Sequence, residues 1–237
     1  MNDLLFEISF RIFSTMKNHM VVRAITVLVA GWSISVPIFG AVDLIPKEIE
    51  VRDEAVSAQI VNNGDHAEFV SISLAHLLNP GVPLADEKIE SVGDMAEPAL
   101  YVYPFRMSIA PGQRKTITLK PLKSVDSEVV YRLDVKPVMK MLGQTRRDVK
   151  GNVAVNLAFS GLVRQLPAEE RAALLVTCDS TGARVTSTGN IRYNVKGATI
   201  DGQMMDDFNV YPGVSRPLTG RVVTIPGQPT CHGTATE

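Results

Sequence analysis

The 237-residue sequence has few aromatic residues and almost no net charge. Aromatic side chains make up 6% of it, whereas hydrophobic residues make up 45% and charged residues 21%. The formal net charge is −1. Because nucleic-acid binding rests on a basic balance and a basic face, this composition argues against nucleic acid as a partner. The apolar content is enough for one large globular domain or two modest ones.

The sequence also lacks the motifs of common enzyme classes. It contains no Gly-x-Ser-x-Gly elbow, no phosphate-binding glycine loop with Lys and Ser or Thr, and no His-Glu-x-x-His. The histidines are scattered, and Cys231 beside His232 lacks the second spaced pair of ligands typical of zinc sites. We therefore predict a protein that is not an enzyme, with no metal, no cofactor and no small-molecule substrate.

Cysteine is nearly absent too. The two cysteines, Cys178 and Cys231, allow a single disulfide pairing. Such a bond persists in an oxidising compartment. The alternative is two unpaired thiols, or a geometry that prevents the bond.

One apolar run lies near the start of the chain. Arg23 precedes an uncharged, mostly apolar stretch from Ala24 to Ala41, and charged residues return at Asp43. This order is typical of a secretory signal, so residues 1–41 are predicted to be a signal peptide and the mature chain to begin near residues 41–43. The run is short for a membrane span of about 20 residues and contains Pro37. A retained anchor is the alternative.

Short β-type segments separated by Gly, Pro and Asn dominate the remainder, which predicts an all-β protein. Five candidate strands precede a sixth apolar segment at 152–167: 55–63, 68–78, 99–109, 115–122 and 128–138. Four more follow the charged, proline-containing stretch 164–170: 172–179, 183–189, 191–200 and 220–227. Strands spaced in this way favour β-sandwiches, so we predict one at 42–165 and a smaller one at 166–237.

The segment "NVAVNLAFSGLVRQLP", residues 152–167, carries a row of large apolar side chains. Val153, Val155, Leu157 and Phe159 alternate with small or polar residues, so an extended strand would place all four on one face. We expect this row to be largely uncovered by the chain's own residues, with Ala154 and Ala158 facing inward. The alternative is an ordinary strand covered by its own second sheet.

A basic connection precedes this segment. Residues 139–152 contain four cations, at Lys140, Arg146, Arg147 and Lys150. Connections longer than about 12 residues without structure of their own are often functional or mobile. An exposed loop solvated by its charges is the alternative.

Several motifs in this order resemble one family. "YPFRMSIAPGQRKTITL", "SEVVYRLDVKPV", a long connection and then "NVAVNLAFSGLVRQLP" are similar to the first domain of periplasmic chaperones of the chaperone-usher fimbrial pathway. "LVRQLPAEE" and "STGNIRYNV" look most like the alternate branch, which serves colonisation factors and class 5 fimbriae. The resemblance covers residues 43 to about 215 and is most specific over 101–167.

The resemblance implies two immunoglobulin-like domains set at an angle, located in the periplasm. Such chaperones lend the last strand of the first domain to a fimbrial subunit, then deliver the subunit to an outer-membrane usher. The lending residues would be Val153, Val155, Leu157 and Phe159. Self-association of the free protein through the same edge is a further expectation.

The resemblance also implies roles for residues of the cleft between the domains. Lys47 matches one of two cations that bind the subunit's terminal carboxylate, but Ser160 stands where the second cation belongs. Arg164 matches a cleft arginine, and Glu128 an acid that pairs with it. We therefore expect an ion pair between Glu128 and Arg164.

Two other functions remain open. A structural fimbrial subunit or adhesin would also be exported and immunoglobulin-like, but it should lack its own final strand. A secreted β-sandwich hydrolase would need a cluster of carboxylates or histidines, which the sequence does not show.

Overall fold

The computed structural model describes residues 42–138 and 158–234. The predicted leader, the basic connection and three of the four row residues, Val153, Val155 and Leu157, lie outside these ranges. No helix within them has the length and apolar character needed to span a membrane.

The strands before residue 166 form two facing sheets. In chain order these strands are β1 (Val42–Ile45), β2 (Glu48–Val51), β3 (Val56–Asn62), β4 (Glu68–Leu77), β5 (Ile89–Ser91), β6 (Leu100–Tyr103), β7 (Arg106–Ile109), β8 (Arg114–Pro121), β9 (Val129–Pro137) and β10 (Phe159–Gln165). One sheet has the order β1-β3-β8-β6, and the other has β2-β10-β9-β4 with β5 and β7 both paired to β4. Two 3-10 turns, Leu84–Asp86 and Val92–Asp94, lie between β4 and β6.

Alternating side chains of the two sheets meet in one apolar core. In β9, Leu133 and Val135 are fully buried, while Arg132 and Asp134 between them are only partly buried. This alternation is the pattern of a sheet with one dry face and one wet face. The largest fully buried side chain is Tyr131, whose hydroxyl donates to Gln165 Oε1 at 3.2 Å. Burial raises the pKa of Tyr131 to about 12.

The prediction of one strand over 99–109 is wrong. The chain breaks at Pro104, so that β6 pairs with β8 in one sheet and β7 pairs with β4 in the other. Proline has no N–H group to donate to a sheet ladder, which explains why the pairing stops there.

The strands after residue 173 form three smaller sheets around a second core. They are β11 (Leu174–Asp179), β12 (Gly182–Ser187), β13 (Tyr193–Val195), β14 (Thr199–Ile200), β15 (Gln203–Met204), β16 (Phe208–Val210), β17 (Ser215–Thr219), β18 (Val222–Thr224) and β19 (Cys231–His232). Their sheet orders are β11-β12-β17, β13-β16 and β15-β14-β18-β19. The core of these strands includes Ala183, Val185, Phe208 and Leu218.

Candidate functional site

The chain crosses from one sheet to the other between β1 and β2, beside β10. β1 pairs with β3, whereas β2, which begins three residues after β1 ends, pairs in parallel with β10. That pairing starts at Leu162, whose N–H donates to the Lys47 carbonyl at 2.8 Å. Within the described residues, the segment from Phe159 to Gly161 pairs with β9 alone. β10 therefore has an open edge only before Leu162.

The direction of the side chains at this edge differs from our expectation. Ala158 is exposed, and Phe159 is half-buried and packs against the first core. The alternation of β10 explains this, because Phe159, Gly161 and Val163 share the face that lies over the core and Val163 is fully buried. The expectations that Ala158 faces inward and that Phe159 is largely uncovered by the chain's own residues are therefore wrong.

Gly161 permits the close approach of the first strand. A Cβ atom on Gly161 would lie 2.5 Å from Leu44 Cδ2 and 3.2 Å from the Lys47 carbonyl oxygen. Leu44 is fully buried, so it has little room to move away. The absence of a side chain at position 161 therefore lets the chain cross from β1 to β2 against β10.

Lys47 lies at the open edge, where its ammonium group already contacts other residues of the same chain. Its Nζ atom is 3.7 Å from the centroid of the Phe159 ring and forms an ion pair with Asp43. Asp43 is fixed in turn, because its Oδ1 accepts a hydrogen bond from the Leu44 N–H at 2.7 Å. The Lys47 side chain remains 57% exposed, so its ammonium is accessible to solvent.

Ser160 lies opposite an acidic residue rather than a cation. It is exposed, and its partner on β9 is Asp134, whose carboxylate is 2.8 Å from Lys136 Nζ. A neutral hydroxyl makes a hydrogen bond roughly half as strong as a charge-assisted one. Within the described residues, a carboxylate bound beside Ser160 would thus meet the ion pair of Asp134 and Lys136, with Lys47 as the cation of the open edge.

Arg164 and Glu128 lie together in a buried ion pair. Arg164 Nε donates to Glu128 Oε1 at 2.5 Å, and the side chains are 6% and 0% exposed. Arg164 Nη1 also donates to Glu50 Oε1 at 2.7 Å. Burial opposes the charge of the guanidinium, but the hydrogen bond to Glu128 and the charges of Glu50 and Glu48 outweigh it, so the pKa of Arg164 lies above its usual value.

A second arginine, Arg192, extends this ion pair into the second sandwich. Its backbone N–H donates to Glu128 Oε2 at 2.6 Å, and its Nη2 atom is 2.8 Å from Glu48 Oε1. Arg164 also approaches Glu48 Oε1, at 3.6 Å. Sequence reasoning missed Glu48, Glu50 and Arg192. Alternation in "KEIEV" places both glutamates on the face opposite Ile49, but nothing local to Arg192 marks it as their partner.

Cys178 and Cys231 form a disulfide that joins β11 to β19, with the two Cα atoms 5.1 Å apart. Cys178 is exposed and Cys231 is buried. The bond lies within the second sandwich, so it contributes nothing directly to the open edge of β10.

We expect a thiol reagent to label neither cysteine in the unreduced, folded protein. The bond closes a loop with a sequence separation of 53 residues. Closing such a loop stabilises a small domain by about 2 to 4 kcal/mol, so reduction should lower the unfolding midpoint of the second sandwich far more than that of the first. Mass spectrometry after alkylation, with and without reductant, checks this. Full labelling without reductant would contradict it.

The two-sandwich fold is that of the chaperones that assemble fimbriae. The class 5 fimbriae chaperone CfaA matches with a TM-score of 0.60 and 20% identity, over 78% of this chain and 90% of that one. A chain of the Salmonella enterica complex between the SafA pilin and the SafB chaperone gives a TM-score of 0.56 at 12% identity, over 80% of this chain and 90% of that one. The resemblance seen in the sequence is confirmed for the fold, which is all-β with two immunoglobulin-like sandwiches.

The curated relatives in sequence are fimbrial proteins of Escherichia coli. The chain is 25% identical over 171 residues to a CS1 fimbrial subunit, which covers 66% of this chain and 71% of the relative. It is 24% identical over 142 residues to a CFA/I fimbrial subunit, which covers 58% of each. No protein-family model matches the chain.

Proposed function

We propose that the protein is a periplasmic chaperone that binds fimbrial subunits by lending them a strand and passes them to an outer-membrane usher. The observation that carries the proposal is the open edge of β10 from Phe159 to Gly161, at the end of the apolar row. An unpaired strand edge invites a foreign strand, with main-chain hydrogen bonds giving affinity and side-chain pockets giving selectivity.

The alternation of side chains along β10 predicts which face the apolar row would occupy in such a complex. A strand continued from Phe159 back to Val153 would place all four row residues on the face that Val163 presents to the first core. The apolar core of this sandwich would then continue into the groove of an incomplete subunit. Burial of four such side chains would supply on the order of 6 to 12 kcal/mol before ordering costs.

Among the described residues, Lys47 is a cation placed to receive an anionic group of the subunit. It lies at the open edge, and its ammonium is accessible. Because Ser160 supplies no second charge, a subunit carboxylate would be held less firmly than by two cations. We assign Arg164 and Glu128 a structural role at the junction.

The second candidate is a structural fimbrial subunit or adhesin, which the word subunit in the names of the two curated relatives favours. Against it, the first sandwich has its own final strand, because β10 pairs with β9 on one side and β2 on the other. A subunit that receives a lent strand would lack this one. The solved relatives include a chaperone bound to a tip adhesin in CFA/I fimbriae biogenesis, which supports the chaperone.

Co-expression tests the proposal directly. A fimbrial subunit encoded beside this protein is exported with and without it, and the periplasmic fraction is analysed by size exclusion and mass spectrometry. We expect a soluble one-to-one complex, and degradation or aggregation of the subunit expressed alone. A subunit that accumulates folded without the protein would contradict the proposal.

A further inference from the structure

Asn190, in the second sandwich, hydrogen-bonds to both the first sandwich and the segment that joins the two. Its side-chain Nδ2 donates to the carbonyl oxygens of Glu169 at 2.7 Å and Asp126 at 3.4 Å. Its Oδ1 accepts from the Arg171 N–H at 2.7 Å. One amide side chain therefore contacts three separate points of the chain, and all its donors and acceptors are turned toward the junction.

The backbone of Asn190 makes the same connections. Its carbonyl accepts from the Glu128 N–H at 2.8 Å and from Ser127 Oγ at 3.1 Å, and its N–H donates to the Arg171 carbonyl at 2.9 Å. The neighbouring Gly189 allows this approach, because a Cβ atom there would collide with the Arg171 carbonyl oxygen. The joining segment therefore lies directly against the loop that carries Asn190.

We propose that Asn190 is the positioning residue that fixes the orientation of the second sandwich relative to the first. The ion pairs nearby hold the same junction, but they form between charged side chains, whereas the amide of Asn190 bonds to backbone groups at three separate points. Asn190 binds the backbone of both the first sandwich and the joining segment. Its hydrogen bonds therefore restrict rotation of the second sandwich relative to the first. The inference concerns the free protein and holds whether or not the chain binds a subunit.

The test measures the distance between the sandwiches in the folded, full-length mature protein. Spin labels are placed at Lys120→Cys on β8 and Gln203→Cys on β15, both exposed, while the native cysteines remain in their disulfide. Asn190→Ala removes three hydrogen bonds at the junction. We expect the distance distribution from electron paramagnetic resonance to broaden by about twofold, since local order follows the number of such contacts.

Trypsin provides a second readout at the joining segment. Both the N–H and the carbonyl of Arg171 bond to Asn190, so breaking this contact frees the exposed backbone after Arg171 to extend into the protease. Cleavage there should accelerate by about tenfold in Asn190→Ala, because proteolysis of this kind follows the population of the open state.

Asn194→Ala is the matched control. Asn194 lies four residues further on, and its Nδ2 donates to Asn209 Oδ1 at 3.0 Å within the second sandwich. The control should leave both the distance distribution and the cleavage rate unchanged. A folded Asn190→Ala protein with an unaltered distance distribution would overturn the proposal.

Asn190→Asp serves if Asn190→Ala does not fold. It keeps the acceptor for the Arg171 N–H but loses both donations to carbonyl oxygens. We expect a broadened distance distribution with little change in cleavage after Arg171. An unchanged distribution in this variant would equally overturn the proposal.

Discussion

Replacement of Leu157 with aspartate is expected to abolish binding of a fimbrial subunit while the melting temperature of the free protein hardly changes. In the proposed complex, Leu157 enters an apolar groove of the subunit. A carboxylate there must lose its hydration without gaining a partner, which costs far more than the contact of one leucine. The loss of the apolar contact alone would contribute about 1.5 to 3 kcal/mol. Co-purification of the variant with the subunit, together with thermal unfolding of the free variant, checks both parts.

The matched control is Leu133→Asp on β9. Leu133 is fully buried in the first core and lies opposite Gly161 of β10, so a charge at this position should unfold the sandwich. Comparison of the two variants thus separates an effect on subunit binding from an effect on the stability of the free protein. If Leu157→Asp unfolds the free protein as Leu133→Asp does, the row belongs to the chain's own core and the strand-lending proposal loses its physical basis.

Alternation of side chains was enough to predict most strands of the first sandwich. β4 and β9 bury every second residue over most of their length, so a local pattern marks both of them. It did not identify β16 and β17 in the second sandwich. β16 has only three residues, and β17 contains Pro217, which is tolerated because β17 lies at the edge of its sheet. Sheet position is set by distant partners, so a local pattern cannot reveal it.

The candidate site was predictable only in part for the same reason. The apolar row stands out in the sequence, and the family resemblance marks Lys47. The open edge, however, is defined by where β2 begins to pair with β10. The start of this pairing depends on the close approach of Gly161 to Leu44, which lies 117 positions earlier in the chain. The junction depends likewise on Arg192 reaching Glu48 across two sandwiches. Contacts of this kind come from the tertiary fold.

Replacement of Arg164 with alanine is expected to lower the free energy of unfolding by about 3 to 5 kcal/mol, because one partner of a buried ion pair is then left without the other. The carboxylate of Glu128 is fully buried and would keep only the Arg192 N–H as a partner. Denaturant unfolding monitored by far-ultraviolet circular dichroism measures the change.

Arg52→Ala is the matched surface control, since Arg52 pairs with Glu170 at 2.6 Å but its side chain is 50% exposed. Exposed pairs of this kind contribute about 0 to 1 kcal/mol, so the control should have nearly the same free energy of unfolding as the parent protein. Adding Glu128→Gln to Arg164→Ala should recover part of the lost stability, because a neutral amide still accepts the Arg192 N–H and leaves no lone buried charge. If Arg164→Ala costs no more than Arg52→Ala, the buried ion pair of Arg164 and Glu128 does not stabilise the junction, and the structural role proposed for it is wrong.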